Sequence, residues 1–328
     1  MSTFKVDIRQ ITDVWKHPNA DALSIVKVND LGYQMITRLD DFKVGDLCVY
    51  FPVDSIIPTQ ILRFIGLEGK LSGAEKNRVK SIKLRQVISQ GLVTKLDAFN
   101  IKKELGDDVT ELLGVTKYEP KEVYFDGYKM GELPNGLSVY DIENAERYPI
   151  IYSQLTSGPV YVTEKLEGTN ISVVIDEEDK VWVNSRRKTV EEGNNLYWDV
   201  ARKERLIDKL IALKHLEGFN HIAVYGELVG PGVQKNIYKL NENQIYVFDI
   251  KFNYIFAAPD VFKWYCDHGS IRRVPELNTL DSNGPSVLNS SVLREGIVIK
   301  PIREAYSSEI GRVILKIRDP EYLCAQAS

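Results

Sequence analysis

Hydrophobic and polar positions alternate in short runs over the first third of the chain. Residues 4–9, 23–28, 34–38, 47–51 and 92–94 are β-prone, and Asp, Asn, Gly and Pro punctuate the gaps between them. Short strands at this spacing predict a small barrel. A helical turn is expected over 61–66, and the charged segment 102–113 is expected to lead out of the barrel. The pattern changes after residue 115. Alternating strands are then expected over 160–165, 171–176, 180–184, 222–228, 244–251, 296–301 and 313–318, with a turn at Pro134-Asn135-Gly136. One helix is expected over 194–216, where Leu196, Val200, Leu206, Leu210 and Leu213 recur at roughly helical spacing.

Strands outnumber helices and glycine turns are common. The fold class expected is therefore α+β with antiparallel sheets, not a doubly wound parallel sheet. A chain of 328 residues with 44% hydrophobic and 27% charged positions can bury two cores. The division expected is 1–115 and 116–328.

Composition narrows the setting. Cys48, Cys266 and Cys324 form no CxxC pair, which fits reduced thiols in a cytoplasmic protein. No long uncharged apolar run or secretory leader pattern is present, so neither membrane spanning nor secretion is expected. The net charge of −4 argues against indiscriminate coating of nucleic acid. Contact with a polyanion must come from local clusters. The best is Lys76, Arg78, Lys80, Lys83 and Arg85, partly alternating with Val79, Ile82 and Leu84. It reads as one strand face or loop edge aimed at phosphates, or else as a solvated charged hairpin. His17 reads as a turn residue, because no second His or Cys lies at ligand spacing.

Candidate chemistry sits in the second half. Five segments end or interrupt an apolar strand with a charge that a core would not tolerate unpaired. They are Thr163-Glu164-Lys165-Leu166-Glu167-Gly168-Thr169-Asn170, Asn184-Ser185-Arg186-Arg187, Val224-Tyr225-Gly226-Glu227-Leu228, Arg294-Glu295-Gly296-Ile297-Val298-Ile299-Lys300 and Val313-Ile314-Leu315-Lys316-Ile317-Arg318. Any one of these lysines alone reads as a snorkelling surface residue. Their number and order carry the signal. The chain shows no GxxxxGK[ST] or GxGxxG phosphate loop and no HExxH or paired-CxxC zinc signature.

In order, these segments resemble the motifs of the covalent nucleotidyltransferases, the superfamily of RNA ligases, DNA ligases and mRNA capping enzymes. Lys165-Leu166-Glu167-Gly168 resembles the first motif, whose lysine becomes linked to AMP. Arg186, Glu227, Tyr246-Val247-Phe248-Asp249-Ile250, Glu295 and Lys316 follow in the order of the others. The stretch from Glu164 to Asn170 is most similar to RNA ligases. Tyr140-Asp141-Ile142-Glu143-Asn144 and Arg147-Tyr148-Pro149 resemble their upstream sequence. His17-Pro18-Asn19-Ala20-Asp21-Ala22-Leu23 and the run from Leu84 to Leu92 resemble OB-fold tRNA-binding modules. The combination resembles RNA ligases of the Deinococcus and Naegleria type. Two departures stand out: Glu167 where Asp or His is usual, and Arg318 where a second lysine is common.

The resemblance implies an OB-fold barrel followed by a nucleotidyltransferase domain of ATP-grasp-like antiparallel sheets plus helices. It implies ATP, with Mg²⁺ or Mn²⁺, and an RNA partner, most simply a nicked duplex. No membrane and no obligate protein partner are implied. Lys165 is the expected nucleophile, with Lys316, Arg186, Glu227 and Glu295 as its catalytic company. Glu164, Gly168, Phe248, Asn170, Arg318 and Lys300 are expected around the nucleotide. Phe248 would stack on adenine, unless it is only a core aromatic. Asn170 has a turn and Lys300 a solvated strand end as the plain alternatives. Glu295 would meet the metal through water. The chemistry suits the residue types. A lysine with an ordinary pKa of about 10.4 attacks phosphorus only after losing its proton. Neighbouring cations ease that loss and stabilise charge developing on the α-phosphate. Other outcomes of the same reading are a DNA ligase, a capping enzyme or a non-catalytic RNA-binding protein. The barrel precedes the motifs and almost nothing follows Arg318, which favours RNA ligase.

Overall fold

The computed structural model describes residues 4–99, 103–119 and 130–325. The chain divides into two compact units. One comprises Met1–Pro120, Asn144–Tyr152 and Pro320–Ser328; the other comprises Lys121–Glu143 and Ser153–Asp319.

The first unit is built on a five-stranded antiparallel sheet in the order Gln34–Arg38, Leu23–Val28, Asp7–Lys16, Leu47–Phe51, Leu92–Lys95. Its longest strand carries a bulge between Ile11 and Asp13. Residues before the bulge pair with Leu47–Phe51, and residues from Ile11 onward pair with Leu23–Val28. The bulge bends one strand through two pairings, which curls the sheet into a barrel. Ile8, Val49 and Phe51 pack on one side, with Ile11, Val26 and Tyr50 in a second cluster. The hairpin Ser81–Leu84/Val87–Gln90 docks on the strand Gln34–Arg38, where Gln34 donates to the Ile88 carbonyl and Ser89 Oγ accepts the Ile36 N–H.

Most predicted strands lie within two residues of the observed ones. The first does not: it spans Asp7–Lys16, because the bulge lets the pairing continue. The segment expected over 102–113 begins outside the described residues. Its later part does not lead away, since Val109 and Leu113 are buried in the barrel core.

The second unit centres on a seven-stranded sheet in the order Met130–Gly131, Thr189–Val190, Val181–Asn184, Thr169–Ile175, Ile222–Val229, Gln244–Phe252, Ile255–Phe256. Ile171, Val173 and Ile175 alternate onto the face that packs against Trp198, Leu210 and Phe262 from three helices. Val174, Ala223 and Tyr225 lie in a separate cluster with Tyr140 and Phe248. Separately, Val160–Lys165 pairs with Gly296–Pro301, which pairs with Leu315–Arg318.

The single helix predicted over 194–216 is two, Leu196–Lys203 and Leu206–Glu217. Asn195 caps the first by accepting the Trp198 N–H. Arg205 takes a left-handed conformation between them, at φ 57°. Here the Glu204 carboxylate is drawn to the Ile245 N–H and to Arg272. The helix Pro259–His268 was not anticipated. Val261 and Trp264 are exposed on it and blur its amphipathic stripe. The turn at Pro134–Gly136 is present, with Leu137 N–H donating to Pro134 and Gly136 at φ 77°. Cys48, Cys266 and Cys324 are free thiols. No described helix is long and apolar enough to cross a membrane.

Candidate active site

Lys165 ends its strand, and strand register decides what faces it. Lys165 is paired with Gly296, Gly296 with Arg318, and Val298 with Lys316. Paired residues project to the same side, so Lys165, Lys316 and Arg318 share one face. A Cβ at Gly296 would collide with the Ile317 carbonyl and come within 2.8 Å of Arg318 Cα.

The Glu295 carboxylate joins them. Its Oε2 lies 2.8 Å from Lys165 Nζ and its Oε1 lies 3.3 Å from Arg318 Nε. Burial pushes this carboxyl up, but Lys165, Arg318 and Lys316 pull it below its usual range. Lys316 responds in the opposite sense. Burial, reinforced by Lys165 and Arg318, drives its ammonium down to about 7. The Glu295 carboxylate, expected in this company, sits among Lys165, Lys316 and Arg318, which would otherwise repel at close range.

The seven-stranded sheet supplies Glu227. It pairs in register with Asn170 on one side and Tyr246 on the other. Burial raises its carboxyl to about 8, opposed by Lys165 and Arg186 and reinforced by Glu295. Gly168 makes this approach possible. A Cβ there would collide with the Leu228 carbonyl and come within 2.7 Å of Val229 Cγ1 and 2.9 Å of Glu227 Cγ. Arg186 is held by an ion pair with Asp141.

Glu164 precedes Lys165 and so points to the opposite side of its strand. It is 1% exposed, and burial raises its carboxyl. Oε2 accepts the Val287 N–H at 2.8 Å, while Oε1 is buried with no hydrogen-bond partner among the described residues. Phe248 is the extra residue of a bulge, since Tyr225 pairs with Asp249 and Gly226 with Val247. Its partly buried ring meets Tyr140 at 4.9 Å and packs among two apolar clusters. Lys300 is not a solvated strand end. It is 4% exposed, and its ammonium contacts Asp249 Oδ2 at 2.9 Å and the Phe248 carbonyl at 2.7 Å.

Ion pairs and hydrogen bonds already engage Arg78, Lys83 and Arg85 of the basic cluster. Arg78 is committed to Asp54 and stacks over Tyr118 at 3.4 Å. Lys83 pairs with Glu321 at 2.6 Å. Arg85, in the two-residue turn of the hairpin, exchanges hydrogen bonds with Asn19. Lys76 is exposed in a preceding turn, and Lys80 is partly buried. His17 holds a turn, as its residue pattern implied: Nδ1 accepts the Asn19 N–H and Nε2 contacts the Leu84 carbonyl.

Sequence reasoning missed Asp141, Tyr140 and Arg312. Tyr140 and Asp141 lay in the upstream stretch already singled out. Arg312 left no signal, because its partners Asp249 and Glu304 are distant or irregular in sequence.

A lysine ending an apolar strand beside Glu295, Lys316 and Arg318, with Glu227 close enough to feel its charge, is the arrangement expected of the nucleotidyltransferase superfamily. Comparison with known proteins narrows the class. Residues 158–318 match the RNA ligase family model, and residues 5–96 match an OB-fold domain model. Three solved structures of Naegleria gruberi RNA ligase are similar along almost the whole chain. A mutant with ATP and Mn is 29% identical over 97% of each chain, with a TM-score of 0.80. A mutant with AMP and Mn is 28% identical over 97% of each chain, with a TM-score of 0.81. The enzyme with pyrophosphate is 29% identical over 97% of each chain, with a TM-score of 0.79. The chain belongs to the RNA ligase family, with an OB-fold domain ahead of its ligase domain.

Proposed function

We propose that this RNA ligase uses ATP to seal 3′-hydroxyl and 5′-phosphate ends, in nicked duplexes, through AMP carried on Lys165. The observation that carries the proposal is the Lys165–Glu295–Arg318 contact beside Lys316 and Glu227. The similar ligase structures hold ATP, AMP or pyrophosphate: the substrate of such a first step, the nucleotide released in the last, and the leaving group of the first.

In the first step Lys165 Nζ attacks the α-phosphorus, a P–N bond forms, and pyrophosphate leaves. The 5′-phosphate of an RNA end then displaces Lys165 from the AMP phosphorus. Finally a 3′-hydroxyl attacks the activated 5′-phosphate, forming the phosphodiester and releasing AMP. Lys316 and Arg318 neutralise the charge that builds on the transferred phosphate. Glu227 takes the ribose hydroxyls, and Asn170, beside it in register, faces the phosphate or its waters. Phe248 stacks on adenine. The unpartnered Oε1 of Glu164 suits the adenine amino group, a donor that would relieve a buried acceptor.

A divalent ion fits this set of donors in one way. Among the described residues no three His, Cys, Asp or Glu converge on a metal position. An ion here would keep most of its waters and the nucleotide's phosphate oxygens, with Glu295 reaching it through water. When bound, it offsets charge on the phosphates. Glu295 is the residue that would orient those waters.

The OB-fold domain, taken as residues 1–115, grips RNA through the exposed Lys76 and Arg85 of its basic cluster, while residues 116–328 carry out adenylylation. The first step is tested with α-labelled ATP and Mg²⁺. Label should remain on the denatured protein and disappear in Lys165→Ala. Absence of label, or equal labelling of the variant, rejects the mechanism. Nicked duplexes with RNA or DNA on each side then test the substrate.

A further inference from the structure

Lys300 carries a charge into the core and pairs there with Asp249, not with Glu295 of the Lys165 cluster. Its ammonium sits 4% exposed against Asp249, itself 1% exposed. Asp249 gathers three donors: Lys300, the Tyr140 hydroxyl at 2.5 Å, and Arg312, whose Nη1 lies 2.5 Å from Oδ2. Arg312 is in turn fixed by two hydrogen bonds to Glu304, each 2.6 Å. Stability alone is a weak reason for a buried network of this kind, because well-packed apolar residues of similar volume often fold as well.

Its geometry converges on one backbone unit. Phe248 is the bulged residue, so its peptide lies outside the regular ladder. Lys300 satisfies its carbonyl at 2.7 Å. Tyr140, tied to Asp249 through its hydroxyl, lays its ring against the Phe248 ring at 4.9 Å. Backbone and ring of Phe248 are thus held by the same carboxylate through two different residues.

We propose that Lys300, Asp249 and Tyr140 are positioning residues for the nucleobase, holding the bulged Phe248 at the angle that stacks on adenine. The proposal rests on Phe248 being the adenine stacker. Lys300 then acts without touching ATP.

The test measures adenylylation of Lys165 at varied ATP in the full-length protein. Lys300→Met should raise the half-saturating ATP concentration about tenfold and leave the saturated rate within about twofold. The reverse reaction, adenylylated enzyme with pyrophosphate, supplies the control, since pyrophosphate carries no base. Its half-saturating concentration should not change. Lys300→Arg should recover part of the loss, because it keeps a donor for the Phe248 carbonyl. In a Phe248→Leu background, Lys300→Met should add nothing further, the signature of one residue acting through another. Full additivity, or an equal rise for pyrophosphate, overturns the proposal. If Phe248→Leu alone leaves the ATP requirement unchanged, adenine stacking itself fails. If Phe248→Leu raises it and Lys300→Met does not, only the positioning role fails. Should Lys300→Met not fold, Tyr140→Phe removes one hydroxyl and retains the ring. A rise of about threefold supports the proposal, and none overturns it.

Discussion

At the scale of single residues, the site is a balance between burial and charge. Lys316 is half-buried beside Lys165 and Arg318, and its ammonium falls from 10.5 to about 7. Between those two values the unfolded chain binds a proton that the folded chain does not. Its contribution to stability is therefore present at high pH and is lost as pH falls from 10.5 through 7. Phosphates reverse the preference by favouring the charged form. ATP binding at pH 8 should draw a proton onto Lys316. Calorimetry in buffers of different ionisation enthalpy reads this uptake directly. Lys316→Arg, permanently charged, should take up fewer protons than the parent; identical uptake in the two proteins would refute the assignment. Legibility followed the same balance. Lys165, Glu227, Glu295 and Lys316 showed themselves in the sequence because each interrupts an apolar run. Lys300 had the same appearance, but its partner Asp249 is on another strand, and nothing local distinguishes a buried ion pair from a solvated strand end.

Among the secondary-structure elements, alternation exposed the strands because one face of each sheet meets a core. What it left out were the irregularities. The bulges at Ile11/Asp13 and at Phe248 shift register without changing composition, yet the first curls the barrel and the second re-aims an aromatic ring. The break at Arg205 was invisible for a related reason: it depends on Glu204 binding Ile245 and Arg272, which lie on later segments. The split also changes which leucines matter. Leu210 is fully buried against the sheet, whereas Leu216 on the same helix is 83% exposed. Leu210→Ala should cost roughly 2–5 kcal/mol by lost burial and a residual cavity. Leu216→Ala should stay within about 0.5 kcal/mol. Denaturant unfolding monitored at equilibrium separates the two, and similar losses would mean that the second helix is not docked through Leu210.

Across the whole molecule, a ligase must hold a polyanion on a body of net charge −4. The proposed RNA grip therefore depends on how many of its cations are unoccupied. Arg78 is spoken for by Asp54 and Tyr118, and Lys83 by Glu321. Lys76 and Arg85 are exposed, and Arg85 exchanges hydrogen bonds with Asn19. Each phosphate contact releases condensed counterions, so affinity falls with salt at a slope set by the number of contacts. Replacing both Lys76 and Arg85 by alanine should reduce that slope for a nicked duplex by about 2, near 0.9 per contact. Arg78→Ala should instead lower unfolding stability, because it leaves the partly buried Asp54 unpaired and removes a cation from the Tyr118 ring. Labelling of Lys165 by ATP should be normal in the Lys76/Arg85 variant, since that step involves no RNA. An unchanged salt slope would remove these two residues from the RNA surface. A loss of labelling would mean that the first domain does more than bind RNA.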